Sequence, residues 1–286
     1  MGFDATDKSE LRSMARQGIR ILWMLAFATV LGVSSAQPLT AADPEDAWPG
    51  LARDIFNGRD LADGTGVIAI EMPYRAEDAA IVPVTLRTAL PPGDTRMLKA
   101  ITLVIDQNPA PVAATFQVGP RVTMISTRVR IDSYTNVHAV AELSDGQLYA
   151  SAVFVKASGG CSAPTAKNAE EAKANLGQMR FRQFSKPADG PTGGPREAQI
   201  MIRHPNNSGL QRDQVTLLYV PAFFVTELHV WQGEELVLAM DSGISISEDP
   251  NIRFDYLPNG ATHFRVEAVD TDGHVFKREW PVDAAM

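Results

Sequence analysis

The chain has 286 residues, of which 45% are hydrophobic and 21% charged, and its formal net charge is -8. A pI of about 5.2 and a mean hydropathy of -0.09 are typical of a soluble globular protein, which excludes a disordered chain and a protein with many membrane spans. The sequence has no basic stripe of the kind that nucleic-acid binding requires. This length accommodates two domains after an export segment.

An export segment is predicted over residues 1 to 36. The apolar run from Ile21 to Val33 follows two arginines and is too short to span a bilayer comfortably, which fits the core of a signal peptide. Ser34 and Ala36 are small residues at the spacing that a signal peptidase requires, and Thr40 and Ala42 offer a second choice. Met14 is an alternative start that gives a cleaner signal peptide. The competing interpretation is an uncleaved N-terminal anchor.

A first β-sandwich is predicted over residues 48 to 156. Short apolar runs follow one another closely, and in Thr127–Ile131 the polar and apolar residues alternate, as in a half-buried strand. Ser144–Gln147 has the composition of a hairpin turn between two such runs. Several short strands with close turn signals are typical of an antiparallel sandwich.

A loop and linker are predicted over residues 157 to 196, before a second β-sandwich over residues 197 to 286. The helical period of Asn168–Met179 predicts one short helix, and the glycines and prolines of Asp189–Pro195 indicate a linker. In the second sandwich, the apolar run Val215–Phe224 contains a proline, so we expect the chain to change direction there.

Cys161 is the only cysteine of the chain and follows Gly159 and Gly160. An intramolecular disulfide is therefore impossible. The two glycines predict a thin, mobile backbone, and an exposed thiol there would have a pKa of about 8.5. Because the loop is tethered at both ends, its tip would project at most about 16 Å. Composition favours an inert linker cysteine and a functional thiol about equally.

Other chemistry has little support in the sequence. A blue-copper site requires two histidines with the cysteine, and no His or Met lies within ten residues after Cys161. We find no nucleophile elbow and no P-loop, so we predict neither an enzyme nor a bound metal or cofactor. The five histidines lack the close spacing of a metal motif: His138, His204, His229, His263 and His274.

Several segments together resemble one family. Residues 128 to 161, with the Asp145–Tyr149 hairpin and the Gly159–Cys161 arm, resemble the C-terminal part of SoxY, the sulfur-carrier subunit of the thiosulfate-oxidising Sox system. Residues 202 to 213 and 220 to 237 resemble its partner subunit, SoxZ. The arrangement is similar to the SoxYZ-like carriers associated with quinoprotein dehydrogenases.

The resemblance implies two immunoglobulin-like sandwiches and a periplasmic carrier without a cofactor. Its intermediates would be held covalently on Cys161, with Gly159 and Gly160 as the carrier arm. The implied partners are periplasmic redox enzymes, with a quinoprotein dehydrogenase or a c-type cytochrome as candidates. We expect no nucleic-acid partner, and no membrane anchor after signal cleavage. In SoxY the arm ends the chain, whereas here Ser162 and Pro164 follow and the chain continues. The alternative is a non-covalent accessory module in which Cys161 is incidental.

Overall fold

The structure, a computed structural model, describes residues 46–91, 93–164, 169–184 and 194–282, with the backbone alone described at 169–171. The predicted signal peptide and the central part of the predicted linker lie outside the described residues. Among the described residues, no helix is long and apolar enough to cross a bilayer.

The described residues form mostly β-strands, with two short helices. The first half contains α1 (Trp48–Ile55), β1 (Leu61–Asp63), β2 (Ile68–Glu71), β3 (Val82–Thr88), β4 (Leu98–Ile105), β5 (Val112–Val118), β6 (Met124–Val129), β7 (Thr135–Leu143) and β8 (Leu148–Val155). The second half contains α2 (Ala169–Ala174), β9 (Met179–Phe184), β10 (Arg196–Ile202), β11 (Val225–Gln232), β12 (Glu235–Ser242), β13 (Asn251–Tyr256), β14 (His263–Asp270) and β15 (Val275–Pro281).

The strands lie in two sheets that both run through the two halves. The larger sheet has the order β1-β8-β7-β4-β5-β12-β11-β14-β15, and the smaller has the order β2-β3-β6-β13-β10-β9. The halves meet through two antiparallel pairs, β5 with β12 and β6 with β13. Each pair covers a strand edge that would otherwise expose unpaired backbone groups. The predicted all-β sandwich architecture is confirmed, and the sheets are continuous across the two halves.

One carboxylate strengthens this junction. Asp255 on β13 is buried and accepts hydrogen bonds from the backbone amides of Thr123 and Met124, both at 2.7 Å, and from the Thr123 hydroxyl. Hydrogen bonds to a charged acceptor are stronger than those between neutral groups. Asp255 therefore links the second half to the start of β6. Because both sheets cross the junction, the domain boundaries given above stay predictions.

Burial along the strands explains their sequence patterns. β14 alternates between half-buried and buried residues, as one strand face against a core requires. β7 is buried on nearly every residue, because α1 covers its outer face. There the Trp48 ring stacks on His138 with 3.6 Å between centroids, and the His138 Nε2 lies 3.1 Å from the Asp106 carboxylate.

One local prediction needs correction. The predicted helix over Asn168–Met179 is shorter, since α2 ends at Ala174 and Gly177 adopts a left-handed backbone with φ of 71° before β9 begins. The apolar run Val215–Phe224, where we expected a change of direction, forms no strand. Most of it lies in a long loop between Asn207 and Phe223, which pair as an isolated antiparallel bridge, and we call this segment the 207–223 loop.

Candidate functional site

Cys161 lies in a turn just after β8 and is fully buried, with 0% of its surface exposed. The Gly159 amide donates to the Asp132 carbonyl at 2.7 Å, and the Gly160 amide donates to the Ile131 carbonyl at 2.9 Å. These bonds hold the turn against the segment that follows β6. The expectation of a projecting, exposed loop is therefore wrong for this conformation, because the turn is paired along its backbone and covered.

Glycine is required at the two positions before Cys161 for different structural reasons. A Cβ on Gly160 would lie 2.0 Å from the carbonyl oxygen of Ala79 and 2.6 Å from that of Ile131. Gly160 therefore permits a close approach between backbones. Gly159 has open space around it but a φ of 77°, which L side chains rarely adopt. Neither glycine is needed here only for mobility.

The second half of the chain covers the cysteine. Ser208 in the 207–223 loop is buried, and its hydroxyl donates a hydrogen bond to the Cys161 carbonyl. The Ser208 amide donates to the Gln211 side-chain oxygen at 2.9 Å, and the Leu210 amide donates to the Ser208 hydroxyl at 3.2 Å. Cys161 is thus enclosed between the two halves of the protein, which no local sequence pattern indicates.

Arg130 lies beneath the same turn and is only 1% exposed. Its Nη1 donates to the Gly160 carbonyl and its Nη2 to the Asn206 carbonyl, both at 3.3 Å, while its Nε has no hydrogen-bond partner. Burial lowers the pKa of Arg130, and the surrounding Glu248, Cys161 and Asp78 oppose that shift. The alternation over Thr127–Ile131 predicts a polar, half-exposed Arg130, whereas β6 ends at Val129 and Arg130 is buried.

Burial also controls the acidity of the thiol. It raises the pKa of Cys161 to about 12, with Asp132 adding to the shift and Arg130 opposing it. A thiol of this acidity is protonated at neutral pH, and the protonated form is a poor nucleophile. We call this arrangement, in which the cysteine turn is covered, the closed conformation. In it the Cys161 thiol is protected from reaction.

The raised thiol pKa predicts a loss of stability at alkaline pH. The folded protein retains the thiol proton up to about pH 12, whereas the unfolded chain loses it near 8.5, so stability falls as the pH rises between those values. We expect urea denaturation to show that, between pH 8 and 10.5, the free energy of unfolding of wild type falls by about 2–3 kcal/mol more than that of Cys161→Ala. Equal losses in the two proteins would contradict the burial of the thiol.

His204 supports the turn against which Arg130 packs. His204 is buried, its Nδ1 accepts from the Asn206 amide at 3.1 Å, and its Nε2 lies 3.5 Å from the Asp270 carboxylate. Burial lowers the pKa of His204, partly offset by Asp270. The hydrogen bond between His204 and the Asn206 amide stabilises the turn whose Asn206 carbonyl accepts a hydrogen bond from Arg130. Among the described residues, no group of three or more His, Cys, Asp or Glu side chains could hold a metal ion.

An apolar cavity and an exposed tip lie beside the cysteine turn. The cavity has a volume of about 500 Å³ and is lined by Pro164, three residues after Cys161, and by parts of α2 and of the 207–223 loop. The tip of that loop carries four exposed hydrophobic side chains, with Val215 at 90% exposed, beside Leu217, Leu218 and Tyr219. The Asp213 carboxylate forms the turn at the tip by accepting hydrogen bonds from the amides of Val215 and Thr216.

Two family models match the chain in tandem. Residues 52–161 match the model described as sulfur oxidation protein SoxY, and residues 185–281 match that described as sulphur oxidation protein SoxZ. Together the two matches cover more than half of the chain. No curated protein matches the sequence.

Solved structures include two similar chains. The sulfur carrier protein SoxY from Chlorobium limicola f thiosulfatophilum is 28% identical, with a TM-score of 0.33, over 39% of this chain and 91% of that chain. Superoxide reductase (neelaredoxin) from Ignicoccus hospitalis is 12% identical, with a TM-score of 0.28, over 40% of this chain and 90% of that chain.

A β-sandwich protein whose halves match these two models in order is of the sulfur-oxidation carrier class. Within that class, the chain belongs to the SoxYZ-like family, as a fusion of a SoxY half with a SoxZ half.

Proposed function

We propose that the protein is a non-enzymatic periplasmic carrier that holds a sulfur species, or another thiol-reactive group, covalently on Cys161. The observation that supports this most directly is the SoxY match, which ends at residue 161, so that the cysteine stands at the end of the matched half. The predicted export segment supports the periplasmic location. Gly159 and Gly160 are the carrier arm in this proposal.

The closed site suggests how such a carrier protects its thiol. Cys161 is held by a few hydrogen bonds from a short turn rather than by a strand or helix. Such a segment opens locally at a lower free-energy cost than global unfolding. Opening brings the thiol into water, where its pKa returns toward about 8.5 and its thiolate becomes available to a partner.

Loading the thiol requires a redox partner. Joining the Cys161 thiolate to the sulfur of an anionic sulfur compound forms one S–S bond and releases two electrons, and the thiol proton goes to solvent. The two electrons need an acceptor outside this protein. A c-type cytochrome, alone or with a quinoprotein dehydrogenase, is the class of partner that would accept them, and the carrier itself needs no resident cofactor.

Intact mass spectrometry of protein purified from its native periplasm tests the carrier function. We expect a fraction of wild type to carry added mass on Cys161 that a reducing agent removes, while the matched Cys161→Ser variant carries none and loses function. Unmodified Cys161 under all growth conditions, together with normal function of Cys161→Ser, would rule the carrier out.

A second candidate is a non-covalent accessory module for a periplasmic quinoprotein dehydrogenase and its cytochrome. The full burial of Cys161 and the exposed apolar tip of the 207–223 loop favour it, because a buried cysteine is usually inert and an exposed apolar patch often binds a partner. A pull-down from periplasm separates the two candidates. An accessory module keeps both binding and function in Cys161→Ser, whereas a carrier keeps binding and loses function.

A further inference from the structure

The charge of Arg130 has no close partner in the closed site. Among the described residues, its guanidinium forms no ion pair with a carboxylate, and Glu248 and Asp78 act on it only through longer-range charge. Its two hydrogen bonds reach neutral carbonyls at 3.3 Å, which is longer than the usual range for such bonds, and its Nε has none. Buried charges are ordinarily paired, so this arrangement is costly unless an anion joins it.

The acidic groups that act on this site, within the described part of the chain, do so at longer range. Glu248 and Asp78 influence Arg130 from beyond ion-pair distance, and Asp132 influences Cys161 in the same way. Arg130 instead touches the residue next to the thiol, since its Nη1 donates to the Gly160 carbonyl. An anionic group attached to the Cys161 sulfur would become the nearest negative charge to the guanidinium.

We propose that Arg130 binds the charged end of the group carried on Cys161, so that the site selects anionic adducts over cationic ones. This inference rests on the proposed carrier function and names a residue that determines its specificity. The guanidinium presents several N–H donors in a rigid plane, which suits an oxyanion.

Two thiol reagents of similar size and opposite charge test the selection on purified wild type. They are 2-sulfonatoethyl and 2-trimethylammonioethyl methanethiosulfonate. In each reaction the thiolate attacks the reagent, a new S–S bond forms, methanesulfinate leaves with the electron pair, and the thiol proton goes to solvent. Each rate is divided by the rate of the same reagent with the urea-unfolded chain, which removes differences in intrinsic reactivity.

We expect the normalised rate of the anionic reagent to exceed that of the cationic one by about tenfold, the factor for one buried charge-assisted hydrogen bond. Arg130→Gln should abolish the preference and Arg130→Lys should keep part of it. The matched control Arg121→Gln removes the same charge from an exposed ion pair with Glu235 and should keep the full preference. Equal rates in wild type, or an unchanged ratio in folded Arg130→Gln, would overturn the proposal.

A second measurement needs no variant, in case Arg130→Gln does not fold. Wild type fully labelled with the sulfonate should melt about 5 °C above wild type labelled with the ammonium reagent. Equal melting temperatures would overturn the role of Arg130. These outcomes can be distinguished from those that test the carrier function. Charge selection with no adduct in cells would disprove the carrier function, whereas an adduct in cells with no charge selection would disprove the role of Arg130.

Discussion

At pH 8, folded wild type should react with the neutral reagent N-ethylmaleimide at least about a hundredfold more slowly than the urea-unfolded chain. The buried Cys161 thiol has its pKa raised to about 12, so the closed state holds almost no thiolate and gives the reagent no access. Reaction then proceeds only through the open turn. Liquid chromatography with mass spectrometry, sampled over time, gives both rates.

Loss of the covering hydrogen bond should speed this reaction. Ser208→Ala removes the bond to the Cys161 carbonyl, and we expect a rate about five- to tenfold above wild type, since one such bond contributes about 1 kcal/mol. The matched control is Ser162→Ala. Its hydroxyl donates to the Gly159 carbonyl at 3.3 Å from an exposed position, so its loss should change the rate little. A folded wild type that reacts within about threefold of the unfolded chain would show that the thiol is not protected.

Gly160→Ala should displace the cysteine turn from its packed position. A methyl group at this position would lie 2.0 Å from the Ala79 carbonyl oxygen, and backbone atoms cannot rotate away as a side chain does. We expect a loss of about 2–4 kcal/mol in the free energy of unfolding, together with a faster reaction of Cys161 with N-ethylmaleimide. Urea denaturation followed by tryptophan fluorescence gives the stability.

The neighbouring glycine provides the control for that variant. Gly159→Ala places its methyl group in open space and is strained only by the φ of 77°. It should therefore lower the free energy of unfolding by about 1–2 kcal/mol and leave the turn in its packed position. If Gly160→Ala were no more destabilising than Gly159→Ala and left Cys161 as protected as in wild type, the close packing at Gly160 would be refuted.

Local patterns determined much of the fold. The alternation and turn signals are properties of neighbouring residues, so they identified two β-sandwich regions and singled out Cys161 on its two glycines. In the apolar run Val215–Phe224, where a proline led us to expect a change of direction, the chain forms no strand. There the side chains of Val215 and Leu217 are exposed on a loop whose tip is ordered by Asp213.

The environment of Cys161 was decided by contacts between residues far apart in the chain. The sequence by itself established a lone thiol after two glycines in a chain that resembles SoxY and SoxZ. Only the tertiary structure brought Arg130 and Ser208 to the backbone carbonyls of the cysteine turn, because both sheets continue across the junction and bring the two halves together. The burial that follows from this packing changes the thiol from an exposed group into a protected one.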